Sequence, residues 1–428
     1  MKLEKVRIGN KEVMLFTIPS GIVTTQVSCL EKLAREIPEL GILTTKSIGP
    51  EPRAGNREPI LYQYAPGCFV NAVGLTNPGA EEFARELSQA QFPKEKFLLA
   101  SIFGKDASEF VFVAKTLEEL ADGFELNLSC PHAKGYGMQL GQDPGIVFSI
   151  TKAVVQATKK PVFAKLTPNA NNIGEIAQAA ISAGAYGIAA INTVGPGYYS
   201  VNGNAVLTNQ VGGLSGRGIL PIGLKCIRDI RQAVGRDIPI IGMGGIRTAA
   251  DVRAYAEVGA DIFGIGSALA GMSNKEIEDY LHLLRNDLEN NKNHAAGLLE
   301  EVHMGYRKVR IEEIVDPGCD LKVLRTDTYI DAKPGQFVFA WIPGIGEKPF
   351  SVMDDSPLTL GILERGEFTR KINSLKKGDS FYMRGPYGQE VNVPQDSDVV
   401  LVGGGCGIAG LFLLAKKLSR KAKVLSLL

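Results

Sequence analysis

Apolar residues along the first three hundred positions recur in one order: a short apolar run, a polar or glycine-rich turn, then a stretch with helical spacing. The runs are FTIPSGIV (16–23), GILTTKS (41–47), KFLLASIFG (96–104), GFELNLSC (123–130), PVFAKLTP (161–168), GIAAINTVG (187–195), IPIIGMGG (238–245) and DIFGIGSA (261–268). Strands that are apolar at most positions are buried on both faces, as parallel strands between helices are. Segments 172–183, 222–234 and 248–258 carry the spacing of amphipathic helices. Together these units predict an α/β fold, a (β/α)8 TIM barrel. The stretch from Pro50 to Pro78 is too long for a plain connection and reads as an insertion over the barrel mouth.

From Leu288 the texture changes. LENNKNHAAGLLEE (288–301) is polar and reads as a terminal helix or linker. Short alternating runs follow: YRKVRIEEIV (306–315), LKVLRTD (321–327), GQFVFAWIP (335–343), PFSVMD (349–354), LTLGILE (358–364) and DSFYMRGP (379–386). Their close spacing predicts a small antiparallel β-barrel. Residues 398–428 read as strand, GGGCGIA turn, helix and strand, an incomplete Rossmann-like βαβ segment. The expected limits are a barrel domain over 1–290, a linker over 291–304, a second barrel over 305–396, and the βαβ start over 397–428. The open edge of such a half-built sheet is a liability. The expectation is a truncated chain, or completion by another polypeptide.

Charge narrows the function classes. The 47 basic and 46 acidic residues nearly cancel, which argues against a nucleic-acid footprint. The six cysteines, Cys29, Cys68, Cys130, Cys226, Cys319 and Cys406, include no C-x-x-C pair. Paired spacing for zinc, an iron–sulfur cluster or a disulfide framework is therefore missing, and no metal site is expected. Reduced thiols point to the cytoplasm. The N-terminus lacks the apolar core of a signal peptide. Two uncharged runs, 176–216 and 399–415, are broken by Asn, Gly or Pro, and neither suits a membrane span.

Chemistry enters at the strand ends, where barrels of this class carry their active sites. Lys46, Asn127, Cys130, Lys165, Asn192 and Thr193 all fall there, although aliphatic residues would serve packing alone. The last two strands end in GMGG and GIGSA. These are the places where such barrels bind phosphate, with glycine N–H groups and a helix N-terminus as donors. A phosphorylated cofactor or substrate is implied.

The motifs NLSCP (127–131), TTKSIGPEPRAGN (44–56), NAVGLTNPG (71–79), AKLTPN (164–169), INT (191–193), GGLSG (212–216), MGGI (243–246) and GSA (266–268) together resemble dihydroorotate dehydrogenases, over most of residues 1–290. The resemblance implies FMN across the barrel mouth. Its phosphate would lie on Gly244, Gly245, Gly266 and Ser267. Ser20, Gly21, Lys46, Ser47, Asn127, Lys165, Ile191 and Gly216 would line it. Lys46, Asn71, Gly74, Leu75, Asn127, Asn192 and Thr193 would hold dihydroorotate or orotate, a flat ring with amide edges that side-chain amides can match. Cys130 matches the catalytic base of the soluble class. Its ordinary pKa of about 8.5 makes a thiolate accessible when cationic or hydrogen-bonding neighbours help. Lys165 would face the ring where reduction builds negative charge. Cys29, Cys68 and Cys226 read as packing residues.

Asn often follows CP in the soluble class, whereas this chain has His132. The CPHxxGxG form also resembles the barrel of dihydropyrimidine dehydrogenase, which acts on uracil and thymine. His132 is either a substrate contact or a loop-structuring residue. A reading of another class is a flavin-carrying electron-transfer or docking protein without substrate chemistry; the intact asparagine set and Cys130 argue against it. In the second part, PGQFV (334–338), EKPFSV (347–352), GEFTRKINSLKKGD (366–379) and GPYG (385–388) resemble the FAD-binding barrel of ferredoxin reductase-like proteins. The resemblance is strongest to the electron-transfer subunit of NAD-linked dihydroorotate dehydrogenase. There Lys348, Pro349, Phe350 and Ser351 would hold FAD, with Arg more typical than Lys348. The resemblance implies NAD as final acceptor, a homodimer or a separate electron-transfer chain as partner, and a four-cysteine [2Fe-2S] site that this sequence does not supply.

Overall fold

In the computed structural model the first strand pairs with the eighth, closing a parallel barrel. The described residues are 5–128, 140–299, 304–318, 320–392, 399–403 and 407–418, with the backbone of 424–427. The barrel strands are Phe16–Ile18, Leu40–Thr44, Phe97–Ile102, Gly123–Asn127, Val162–Leu166, Gly187–Ala190, Ile240–Met243 and Ile262–Gly264. They are numbered first to eighth below. Each falls within or beside one of the apolar runs. The helices Ile173–Ser182, Leu220–Val234 and Ala249–Glu257 follow the spacing read from the sequence.

Period-two alternation divides each strand between two cores. One parity, including Leu43, Leu98, Phe124, Leu126, Ala164 and Ile188, packs outward with the helices. The other, including Ile42, Phe97, Leu99, Phe163, Ala189 and Ile241, fills the barrel interior. A hairpin of Val6–Ile8 and Lys11–Val13, which the charged N-terminus concealed, contributes Ile8 and Val13 to that interior core. The parity then runs upward. Ser101 follows Leu99, and Lys165 follows Phe163. Glu125 pairs across from Phe163, and Asn127 from Lys165. The interior is apolar toward the strand starts and polar toward the strand ends.

The insertion forms a hairpin, Leu61–Ala65 and Cys68–Asn71. It joins Val194–Tyr198 and Val211–Gly216 in a four-stranded antiparallel sheet. These last two strands were not predicted. VGPGY and VGGLSG hold too few β-branched or aromatic residues to signal strand.

A second compact unit contains a closed six-stranded antiparallel barrel. Its strands are Arg307–Gly318, Leu321–Thr326, Phe337–Ile342, Gly346–Asp355, Leu358–Leu363 and Ser380–Tyr387. Val309, Ile311, Leu324, Val338, Leu360, Ile362 and Met383 form its core. Val399–Val402 and Val424–Leu427 pair in parallel around the helix Gly407–Leu418. Lys416 ties that helix to Asp354 at 2.7 Å. Two short segments, Arg57–Tyr62 and Tyr199–Gln210, group with this unit rather than with the first barrel. The cause is local. Tyr62 stacks between Tyr199 and Tyr306, with ring centroids 5.5 and 5.6 Å away. The Thr208 hydroxyl donates to the Glu58 carbonyl at 2.7 Å, and the Arg57 guanidinium donates to the Gly344 carbonyl at 3.0 Å.

Candidate active site

At the carboxyl ends of the barrel strands the expected side chains meet in one connected set. Asn127, at the end of the fourth strand, donates through Nδ2 to the Ser47 hydroxyl at 2.9 Å. Ser47 is also hydrogen-bonded to Ser20 at 3.1 Å and to Ser101 at 2.9 Å. Ser101 donates to Glu125 Oε1 at 2.9 Å, and Lys165 Nζ reaches the same oxygen at 3.2 Å. On the sixth-strand side, Asn192 Nδ2 donates to Asn127 Oδ1 at 3.4 Å, and the Thr193 N–H donates to Asn192 Oδ1 at 2.8 Å. The ends of the first six barrel strands are thus linked, the third through Ser101. Lys165 is buried and does not extend to solvent.

Two members of this set were missed. Ser101 on the third strand and Glu125 on the fourth are fully buried. The signal for Glu125 was present: a carboxylate two residues before Asn127 shares its face of the strand, and a buried carboxylate needs a partner.

Lys46 is half-buried, and its backbone carbonyl accepts from Thr45 Oγ1 at 2.9 Å. Burial holds its ammonium below the ordinary value. Asn71 lies opposite Gly213 in the four-stranded sheet and donates to the Gly213 carbonyl at 3.3 Å. A Cβ on Gly213 would fall 2.1 Å from Thr193 Oγ1, so Asn71, Gly213 and Thr193 are immediate neighbours. Gly74 and Leu75 continue the chain beyond Asn71, both with positive φ. Asn56 supports that turn, its side-chain amide donating to the Ala72 carbonyl at 2.9 Å.

The glycines after the seventh strand pack against two other strand ends. Gly244 (φ +126°) would place a Cβ 3.0 Å from Ile191 Cγ1, and Gly245 (φ +82°) would place one 2.9 Å from the Gly216 carbonyl oxygen. At the first and eighth strands, Gly266 lies against Pro19 and Ile22, beside Ser20 and Gly21. Among the described residues, no backbone carbonyl outside the regular elements accepts from the N–H groups of Gly244, Gly245, Gly266 or Ser267. A set of backbone donors, tightly packed at Gly244 and Gly245, suits a phosphate. One expected donor is already engaged. The helix Ala249–Glu257 carries its own capping box, in which Asp251 accepts from the N–H groups of Arg247 and Thr248 at 3.0 and 2.9 Å. The loop glycines remain as donors for an anion.

Cys130, Pro131 and His132 lie outside the described residues, as does part of the GGGCG turn. Of the other thiols, Cys226 is buried and pushed up to about 11 by desolvation. In the second unit, Lys348, Pro349, Phe350 and Ser351 lie along Gly346–Asp355. Lys348 is paired with Glu58 at 2.9 Å, and Phe350 stacks on Phe368. The charge of Lys348 is therefore already engaged. No helix among the described residues is long and apolar enough to cross a membrane.

Comparison with known proteins agrees with this arrangement. The "Dihydroorotate dehydrogenase" family matches residues 8–284. The catalytic subunit of dihydroorotate dehydrogenase B (NAD(+)) from Pyrococcus abyssi is 45% identical over 256 residues, 59% of this chain and 82% of that protein. Its counterpart from Methanocaldococcus jannaschii is 43% identical over the same shares. A solved structure of DHODH from Eimeria tenella, in complex with ferulenol, aligns at a TM-score of 0.56 with 19% identity. It covers 70% of this chain and 88% of that one, and so shares the fold. The family match spans more than half of the sequence, and the chain belongs to the dihydroorotate dehydrogenase family.

Proposed function

We propose that this chain oxidises dihydroorotate to orotate in pyrimidine biosynthesis, with FMN at the strand ends of the first barrel. The observation that carries the reading is the buried polar layer joining Ser47, Asn127, Asn192 and Lys165 in a member of this family. FMN, when bound, supplies the hydride acceptor. Gly244, Gly245, Gly266 and Ser267 would hold its phosphate, with Ser20, Gly21, Ser47, Ile191 and Gly216 around it. Asn71, Asn127, Asn192 and Thr193 would bind the amide edges of the substrate, beside Gly74 and Leu75. Lys46 would meet its carboxylate, which restores a charged partner to an ammonium that burial disfavours. Cys130 would take the proton from C5, and Lys165 would hold positive charge where the hydride's charge accumulates.

We extend the proposal to the second unit, which would pass electrons through FAD toward NAD in the cytoplasm, alone or with a further electron-transfer chain. Lys348 to Ser351 would contact FAD, and Lys348 would exchange Glu58 for that cofactor. The domain limits read from the sequence form part of this proposal, except that Arg57–Tyr62 and Tyr199–Gln210 group with the second unit.

The test is anaerobic mixing of purified holoprotein with dihydroorotate. The expected result is loss of the flavin's visible absorbance with formation of orotate, abolished in Cys130→Ser at neutral pH. A flavin that dihydroorotate leaves oxidised refutes the reading. Reoxidation of photoreduced protein by uracil but not by orotate would favour the dihydropyrimidine alternative. Separate counts of FMN and FAD released per chain test the second unit.

A further inference from the structure

We infer that Glu125 is a positioning residue for Lys165, fixing its ammonium in one place at the flavin face. The inference rests on the proposed FMN site and adds a group that no motif singled out. Glu125 faces the barrel interior one pleat toward the strand starts from Asn127. Its Oε1 lies 3.2 Å from Lys165 Nζ, and the side chains are 1% and 5% exposed. Ser101 donates to the same oxygen at 2.9 Å, and Ser101 is bonded to Ser47, which receives Asn127. The carboxylate is therefore held from the side of the third strand while it holds the fifth.

Packing does not call for it. The residues beneath it in the barrel are Phe97, Leu99 and Phe163, and an apolar side chain would continue that core. A neutral amide could satisfy the hydrogen bonds of Lys165 and Ser101. Only a carboxylate also supplies opposite charge. Away from water an isolated ammonium tends to give up its proton, and a nearby anion reverses that tendency. Lysine also has a flexible four-carbon stem, so its position needs an external anchor. Few other ionisable groups face this end of the barrel among the described residues. The second strand leads to Lys46, and the loop after the seventh brings Arg247 and Asp251, whose carboxylate caps its own helix. The first, third and sixth strands bring the neutral Ser20, Ser101, Asn192 and Thr193. Glu125 is thus the anion that fixes the position of Lys165.

The test compares wild-type holoprotein with Glu125→Gln, Glu125→Asp, Lys165→Met and the double variant Glu125→Gln/Lys165→Met, reading bound-FMN absorbance and midpoint potential. Glu125→Gln should shift both readouts from their wild-type values, and on a Lys165→Met background the same change should shift neither. At neutral pH kcat should fall about 10²-fold in Glu125→Gln with little change in KM, the cost of a misplaced cation. Glu125→Asp should keep the wild-type absorbance and potential. If Glu125→Gln does not fold, apoprotein unfolding of Glu125→Leu/Lys165→Met replaces it. This double variant should resist denaturant better than Lys165→Met alone, which strands the carboxylate. Wild-type absorbance, potential and kcat in Glu125→Gln, or a Glu125→Leu/Lys165→Met variant as labile as the sum of its single changes, overturns the inference. If wild type binds FMN and is reduced by dihydroorotate, either of those results overturns the inference alone. If wild type binds no FMN, the proposed function falls as well.

Discussion

Gly21 and Gly245 offer a matched pair for asking what the phosphate cradle requires. Their φ angles are nearly the same, +84° and +82°, but their surroundings differ. A Cβ on Gly21 would meet nothing within 4 Å. One on Gly245 would lie 2.9 Å from the Gly216 carbonyl oxygen and 3.0 Å from both the backbone N and the Cβ of Leu220. Alanine at either position must adopt the left-handed conformation, at about 1–2 kcal/mol. Either also restricts the unfolded chain, which returns about 0.4–1 kcal/mol and cancels between the two variants. Only Gly245→Ala adds overpacking against backbone that cannot rotate away, about 1–3 kcal/mol more. The difference between the variants is therefore about 1–3 kcal/mol, from space alone.

Denaturant unfolding followed by circular dichroism measures that difference. Trp341 is the single tryptophan and is buried in the second unit, so its fluorescence follows that unit separately. The lower midpoint of Gly245→Ala should appear in the transition that Trp341 does not report. Gly245→Ala should also release FMN more readily than Gly21→Ala, because it displaces the loop whose N–H groups would hold the phosphate. Equal midpoints and equal FMN retention would refute the packing argument for the cradle.

Two further outcomes are expected. Arg384→Met should lower the Trp341 transition by about 3–5 kcal/mol, because it strands the buried carboxylate of Glu347. In the intact protein that carboxylate receives Arg384 Nε at 2.7 Å and the Tyr306 hydroxyl, while Tyr306 stacks on Trp341. Adding Glu347→Leu should recover much of the loss, and no recovery would count against the pair. For Lys46, the folded pKa lies below the ordinary 10.5, so the unfolded chain holds more protons between the two values. Its contribution to stability should rise with pH across that window, and Lys46→Met should flatten the rise. Amine-reactive labelling at mildly alkaline pH should find Lys46 unusually reactive, and orotate should protect it.

The sequence made the architecture legible because the barrel strands are apolar on both faces. Their runs stand out against polar loops, and each unit repeats. The second barrel was legible for a different reason: strict alternation in segments such as Leu358–Leu363, where Leu358, Leu360 and Ile362 point inward. Legibility failed where glycine replaces side-chain signal, as in Val194–Tyr198 and Val211–Gly216. Long-range pairing with the Cys68–Asn71 strand, not local preference, makes those segments strands. The grouping of Arg57–Tyr62 and Tyr199–Gln210 with the second unit was hidden because it depends on Tyr62, Tyr199 and Tyr306, which are far apart in the chain. Within the site, asparagines and lysines at strand ends were conspicuous. Ser101 and Glu125 were not, because a serine or glutamate within a run reads as ordinary alternation until the facing strands are known.

The hydrogen-bond lengths in the polar layer separate two kinds of contact. Bonds among Ser47, Ser101, Glu125 and Asn127 run at 2.9 Å, within the favourable range. Those between Asn192 and Asn127, and between Asn71 and the Gly213 carbonyl, are 3.4 and 3.3 Å. A long bond is weak, and exchanging it for a ligand's amide edge costs little. A short bond resists exchange and fixes its members. The long bonds are made by the Nδ2 groups of Asn192 and Asn71, which are proposed to grip the substrate, while Asn192 Oδ1 keeps a short bond from the Thr193 N–H at 2.8 Å. Burying charge here gives up stability, since replacing a buried ion pair with apolar residues is often neutral or stabilising by about 1–4 kcal/mol. A chain shaped for stability alone would have carried the Leu99 and Phe163 layer up to the strand ends. The proposed site accounts for the polar layer: it would hold a cation and a carboxamide still while neighbouring amides change partners.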